Sequence, residues 1–380
     1  MDGPTEMHNA GPEANAQLVD DEGAGVITAP TAAKHIVSPP NIVQMLEEGG
    51  QHEEIEQTQG LASHDDSGLE DCTDGDSSET MSLSTTMYPM ENGRRYHALS
   101  QGKYMLPNDE AERERLDFQH ELFKLTFDGE ICLCPGAATA QRVLDVGTGT
   151  GIWAIEFADD HPRAEVIGVD LSPIQPIMLP PNLRFSADDF EMSWTYSKFD
   201  YVFFRQMAGC LASVPEILHE VYNNLVPGGY IEFQDKAFPI RVDDDTLPQD
   251  AALYKWSTYI IEASIALGRP INTAHTYKDL LTNAGFENVV ETQFTWPQNN
   301  WPQDPKLKEL GLGMCENIDN GLEAMSLFLF SHGLGWNIER IYTFLIDVRK
   351  DIRDPNVHAY WSIYVVHGQR PLSYQISPHA

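Results

Sequence analysis

The sequence predicts an α/β fold: a mostly parallel sheet of seven strands flanked by helices. A helical lead is expected before the sheet, helical insertions covering a binding site within its later part, and a disordered acidic N-terminal tail. Three observations carry this expectation. A buried strand, Arg142 to Val146, runs into a glycine-rich turn, and a helix from Ile152 to about Asp159 follows directly. A second strand, Glu165 to Val169, ends on Asp170. Further strands are expected at 183–186, at 199–204, which is strongly apolar, and at 230–234, with an amphipathic helix between the last two.

The turn reads Asp145-Val146-Gly147-Thr148-Gly149-Thr150-Gly151. Alternating glycines let the backbone turn sharply and approach a ligand closely, and the helix that follows points unpaired N–H groups at it. Asp170 lies about 20 residues further on, where folds of this kind hold a ribose hydroxyl pair. A nicotinamide or flavin fingerprint, G-x-G-x-x-G/A, would need a small residue at position 152, which is isoleucine. The pattern is acid-x-G-x-G-x-G instead. It resembles the first motif of class I S-adenosylmethionine-dependent methyltransferases. That resemblance implies that Asp145 sits near the amino-acid end of the cofactor and that Asp170 holds both ribose hydroxyls.

Composition narrows the function classes. The chain has 380 residues and a formal net charge of −34. No basic stripe is visible, which disfavours a nucleic-acid partner. No apolar run approaches 18 residues and no basic-then-apolar leader opens the chain, so neither a membrane span nor a signal peptide is expected. The five cysteines are sparse and scattered, as reduced thiols of an intracellular protein would be. A cytoplasmic location is expected, with a nuclear one as the alternative. Cys132-x-Cys134 lacks a second pair or a nearby histidine cluster, so no metal site is expected.

Taken in order, residues 1 to about 92 hold 19 acidic residues and one lysine, and Tyr88 is the only aromatic before residue 90. Such a segment cannot offset its chain entropy by apolar burial and is expected to be disordered. Within it Asn41 could cap a short turn that places Ile42, Met45 and Leu46 on one face, a docking point for a protein partner. The lead, 93–141, contains a helix capped by Asn108 or Asp109 and running to about Phe127. It could fold over the cofactor mouth; the pattern alone leaves simple packing on the sheet as the alternative. The main domain, 142–371, continues after Asp170 with a proline-broken connection, Leu171 to Pro176. A third strand, 183–186, closes on Ala187-Asp188-Asp189-Phe190. The fourth, 199–204, ends in Arg205-Gln206-Met207, facing the crevice beyond the strand ends. A helix over 214–225 is stopped by Pro227-Gly228-Gly229, and the fifth strand is 230–234. Helices are expected at 251–267, 276–284, 305–330 and 337–349. Strands at 287–295 and 360–366 complete the sheet with a reversed hairpin at one edge.

At this point the chain resembles the LaeA-like methyltransferases of filamentous fungi over about residues 92–371. Four stretches carry the likeness. They are the lead Tyr104 to His120, Gly149 to Glu156, His358-Ala359-Tyr360, and above all Asp170-Leu171-Ser172-Pro173-Ile174-Gln175-Pro176. The resemblance implies the Rossmann-like class I methyltransferase fold and S-adenosylmethionine as cofactor. Its members either tailor one secondary metabolite or, like the founding member, act as nuclear regulators of metabolite gene clusters. By similarity, Gly147, Thr148, Gly149 and Gly151 contact the cofactor through their backbone, and Asp170 with Leu171 meets its ribose. Asp188 accepts from the adenine amino group and the Asp189 amide meets a ring nitrogen. Gln206 and Met207 line the transferable methyl, and Tyr104 covers it.

Methyl transfer from a sulfonium asks mainly for in-line positioning, because the leaving group is already activated. A base is needed only for an acceptor protonated at working pH. Tyr96, His97, His120, Glu232 and Asp235 are the residues near the expected mouth, His97 and His120 first among them; a lone histidine is more often structural. Three functions stay open: methylation of an oxygen or nitrogen of a small metabolite, regulation through protein partners, and cofactor binding without turnover. The complete glycine motif with Asp170 argues against the third.

Overall fold

The computed structural model describes residues 88–97, 99, 103–195 and 198–372. The acidic tail and its Ile42, Met45 and Leu46 face lie outside these residues. The seven strands are β1 (Arg142–Val146), β2 (Glu165–Asp170), β3 (Leu183–Ala187), β4 (Phe199–Arg205), β5 (Leu225–Lys236), β6 (Glu287–Pro297) and β7 (Tyr360–Gln369). They form one sheet in the order β3-β2-β1-β4-β5-β7-β6. β1 to β5 run parallel, and β7 lies antiparallel between β5 and β6. The sequence predicts this seven-stranded sheet with its reversed hairpin, and the class I methyltransferase fold is what is found.

The helices are α1 (Glu110–Thr126), α2 (Ile152–Asp160), α3 (Val214–Asn224), α4 (Ala252–Ala266), α5 (Tyr277–Asn283), α6 (Pro305–Phe328) and α7 (Ile338–Arg353). Their starts follow side-chain chemistry. Asp109, Ser213, Asp304 and Asn337 each accept an N–H of the first turn, satisfying donors that the helix itself leaves unpaired. α6 and α7 carry a large apolar cluster with α1 and α4, in which Trp256, Trp296 and Trp361 are wholly buried. On the other side of the sheet edge Trp153 of α2 stacks on Phe203 of β4, ring centroids 3.8 Å apart.

The fifth strand is longer than expected. Pro227-Gly228-Gly229 lies within it rather than before it, where the pairing with β4 shifts register, and its far end runs on to Lys236. Gly228 takes φ +84° and its N–H still reaches Arg370 O at 2.9 Å. Backbone hydrogen bonding through a bulge thus holds a segment whose composition reads as a stop. No helix among the described residues is long and apolar enough to cross a membrane.

Candidate functional site

Beyond the carboxyl ends of β1, β2 and β4 lies a cavity lined by Tyr104, Gly147, Gly149, Asp170, Leu171, Gln206 and Met207, with Arg113, Arg205 and Phe190. It encloses about 720 Å³ of space between atoms, part of it open to solvent, which is within the usual range for small-ligand sites. The glycine turn is shaped for close approach. Gly149 has φ +57°, and a Cβ there would meet only Leu116 of α1, in ordinary contact at 3.8 Å. Gly147 has φ +72°, and a Cβ would drive into the Met207 side chain at 2.3 Å. Neither position tolerates a side chain, the first because of backbone strain and the second also because of Met207.

Asp170 ends β2 against this turn. Its Oδ2 accepts the Gly149 N–H at 2.9 Å and its Oδ1 accepts the Ser172 N–H at 2.8 Å. Each oxygen keeps a lone pair for a ligand hydroxyl. Burial pushes its pKa up to about 6, against the pull of those amides. Asp145 is buried behind the turn, accepts the Thr148 hydroxyl at 2.6 Å, and is pushed up to about 7 by the same desolvation. Strongly shifted carboxyls in a cleft are a mark of a functional site. The cavity lining carries both signs of charge, Lys103, Arg113 and Arg205 with Glu112 and Asp170. Arg113 Nε and Arg205 Nη1 are buried with no hydrogen-bond partner among the described residues. A zwitterionic amino acid joined to a nucleoside fits such a cleft: a carboxylate for the guanidiniums, a ribose diol for Asp170.

The cavity has a roof fastened on several sides. Asn108 Nδ2 donates to Ser172 Oγ at 3.2 Å, and Asp117 of α1 accepts the Thr150 hydroxyl at 2.6 Å. The helical lead therefore packs against the glycine turn and the loop after β2. Asp189 is bound by Lys103 at 2.5 Å, and the Asp189 N–H donates to Asp188 Oδ1 at 2.8 Å. Asp188 and Asp189 thus sit beside Phe190 at the end of β3 but outside the cavity lining, as do Thr148, Gly151 and Asp145.

The two histidines singled out by the sequence are held at both ring nitrogens. His97 Nδ1 lies 2.5 Å from Leu99 O, so it donates, and Nε2 accepts the Tyr104 N–H at 3.2 Å. His120 Nδ1 lies 2.8 Å from Arg205 Nη2, which can only donate, so Nε2 carries the proton and donates to Glu156 at 2.6 Å. Burial holds His120 down to about 4, keeping it neutral. Both rings position other groups, and neither lines the cavity. Glu232 accepts the Leu133 and Cys134 N–H groups and the Tyr201 hydroxyl. Asp235 accepts the Tyr277 hydroxyl at 2.7 Å. Tyr96 is buried against Phe328.

A second cavity adjoins the first and shares Tyr104, Leu116, Gln206 and Cys210 with it. Its remaining walls are mostly apolar: Met105, Phe238, Ile260, Ile271, Met325 and Leu329, with Arg115, Gln119 and Lys236 as the polar members. Gln206, at φ +56°, stands where the two cavities meet, and its Nε2 is buried without a partner among the described residues. Arg113 and Lys236 have no signature in the sequence, where a lone basic residue reads as solvated surface, whereas Arg205 is legible with Gln206 and Met207 as the strand end that faces the crevice.

Because Asp170 must be ionised to accept two hydroxyls, ligand affinity should follow its titration. A group with a pKa near 6 is about one-tenth ionised at pH 5, so affinity for an adenosine-type ligand should fall roughly tenfold between pH 7.5 and pH 5. Calorimetric titration at both values checks this. Asp170→Asn should flatten most of the dependence, with any remainder reporting Asp145.

Comparison with known proteins bears on what this cleft holds. A family model described as a methyltransferase domain matches residues 102–291. The chain is 36% identical over 301 residues to methyltransferase pytC of Aspergillus terreus, covering 78% of this chain and 93% of that protein. It is 38% identical over 290 residues to secondary metabolism regulator LAE1 of Cochliobolus heterostrophus, covering 74% and 94%. It is 37% identical over 265 residues to probable methyltransferase tdiE of Emericella nidulans, covering 70% and 83%.

Proposed function

This chain belongs to the LaeA-like class I methyltransferases, and from that membership we propose that its acceptor is a small, largely apolar molecule methylated on oxygen or nitrogen. The enzyme is S-adenosylmethionine-dependent. The observation that carries the acceptor reading is the second cavity, apolar, roofed by the helical lead and joined to the first at Gln206.

In this reading the first cavity holds the cofactor. Gly147 and Gly149 supply a close backbone surface, with Thr148 and Gly151 holding the turn behind it, Asp170 and Leu171 the ribose contact, and Arg113 with Arg205 the carboxylate contact. Asp188 and the Asp189 N–H recognise adenine once they exchange their mutual hydrogen bond for it. The bound cofactor supplies an activated methyl group. Tyr104, Gln206 and Met207 exclude water from its path and align the acceptor, a contribution worth several powers of ten when geometry is held closely.

A second reading is favoured by one observation: relatives of similar identity include LAE1, named a regulator, and a protein-methionine methyltransferase laeA, 35% identical over 288 residues. There the acceptor is a protein side chain, the acidic tail is a docking segment and the site of action is the nucleus. The two separate by where label goes. With methyl-labelled cofactor and an extract of a filamentous fungus, the proposed function predicts label in the organic-soluble fraction. Label confined to acid-precipitable protein would establish the second reading instead.

A further inference from the structure

Lys236 is the last residue of β5 and lines the apolar second cavity, with only 5% of its surface exposed. Its Nζ has neither a hydrogen bond nor an ion pair among the described residues. Its neighbours are ring faces, Phe238 at 4.9 Å and Trp361 at 4.6 Å from the ammonium nitrogen to the centroids. An unpaired amine in such a place is costly and asks for a partner. The residue before it, Asp235, engages Tyr277 and the Ala208 N–H and so is committed elsewhere. We infer that Lys236 takes the proton from an acidic hydroxyl of the acceptor, a phenol or enol, and then holds the resulting anion for methylation. This rests on the acceptor-cavity reading above and names its substrate class.

Burial favours the neutral amine before an acceptor binds, while the two ring faces favour the ammonium that proton transfer produces. Facing Lys236 from α1 are Arg115, tied to Glu112, and Gln119; Tyr104 comes from the lead and Cys210 from the segment after β4. α4 and α6 contribute only the apolar Ile260 and Met325 to the cavity lining. Burial, with Arg115 adding to it, brings the Lys236 amine down to about 7, while burial keeps the Tyr104 and Cys210 protons on. The step balances simply. The acceptor O–H breaks and its proton goes to the Nζ lone pair. The oxygen pair then forms the O–CH3 bond as the S–CH3 bond breaks, its electrons staying on sulfur. The ammonium returns its proton to water when product leaves. A fixed cation–anion pair in an apolar cavity is strong enough to hold the phenolate against protonation.

3-Nitrophenol tests this without turnover, because its phenolate is coloured and its phenol is not, and its pKa lies far enough above that of Lys236 for the amine to be mostly neutral in the assay. One pH unit below the dye's own pKa, the full-length enzyme saturated with S-adenosylhomocysteine should bind it with saturable appearance of the phenolate band. Lys236→Met should abolish the band while calorimetric cofactor affinity stays within about twofold of wild type. Lys236→Gln provides a second variant should the first fold poorly. With a phenolic acceptor, kcat/KM of either variant should drop by about two orders of magnitude and rise with pH. No phenolate band in the wild type, or an equal band in both variants, overturns the inference whatever becomes of the extract experiment. Conversely, label confined to protein in that experiment overturns the small-molecule reading and leaves the dye measurement to decide Lys236 on its own.

Discussion

Asp170→Ala should weaken cofactor binding by one to two powers of ten. In the proposed cofactor placement the variant removes the carboxylate that would accept two ribose hydroxyls, and a hydrogen bond to a charged group contributes about 1.5–3 kcal/mol. The same change frees the Gly149 and Ser172 N–H groups, which now end on its two oxygens. Its effect on stability runs the other way. An acid whose folded pKa lies above its unfolded one binds extra protons when folded, so it subtracts from stability as pH rises through that window, here from about 4 to about 6. Above pH 6 the variant is relieved of that burial cost. Calorimetry should therefore find weak binding by a protein that still melts cooperatively; unchanged affinity would remove Asp170 from the site.

Glu112→Met should cost about 3–5 kcal/mol and lower Tm by on the order of 10 °C. Glu112 and Arg115 form a buried pair at 2.6 Å within α1, and Arg115 Nη1 reaches Asn317 of α6 at 3.1 Å. Asn317 returns a hydrogen bond to the Arg115 carbonyl at 3.3 Å. Losing the carboxylate strands a guanidinium under the roof of both cavities. Replacing both members, Glu112→Met with Arg115→Met, should recover most of the loss, because two apolar side chains need no partners. Thermal melts of the two single variants and the double variant form the cycle that decides it. A Glu112→Met cost below about 1 kcal/mol would mean that water reaches the pair.

That pair shows where the sequence is readable and where it is not. Glu112 and Arg115 at i,i+3 look like a surface pair, and only packing against Asn317, some 200 positions later, buries them. β1, β2 and β4 are legible because their apolar runs are short and rich in β-branched and aromatic residues. The glycine turn and Asp170 are legible together because two strands and a helix fix the distance between them. Lys236 is not, because a basic residue after a strand ordinarily marks exposed loop, and the strand was expected to stop at Gln234. Its meaning arises from Phe238, Trp361, Ile260 and Met325, which no local pattern assembles. His97 and His120 are the opposite case. Their residue type suggests proton transfer, but Leu99, Tyr104, Arg205 and Glu156 engage every ring nitrogen.

The placement of β7 between β5 and β6 sets an order of assembly during synthesis. β1 to β5 follow one another closely along the chain, so their parallel ladder can begin to form while the ribosome is still adding later residues. β6 cannot join that ladder when it emerges, because its only neighbour in the sheet is β7, over 60 residues further on. α6 and α7 must form in the interval and wait with it. The half that carries the glycine turn is therefore shaped first. The walls contributed by α4, α6 and the end of β5 close only after residues 360–369 have threaded between two strands already made. A nascent chain stalled before Tyr360 would expose the apolar edge of β5 and an unpaired β6 together, the kind of surface that chaperones recognise.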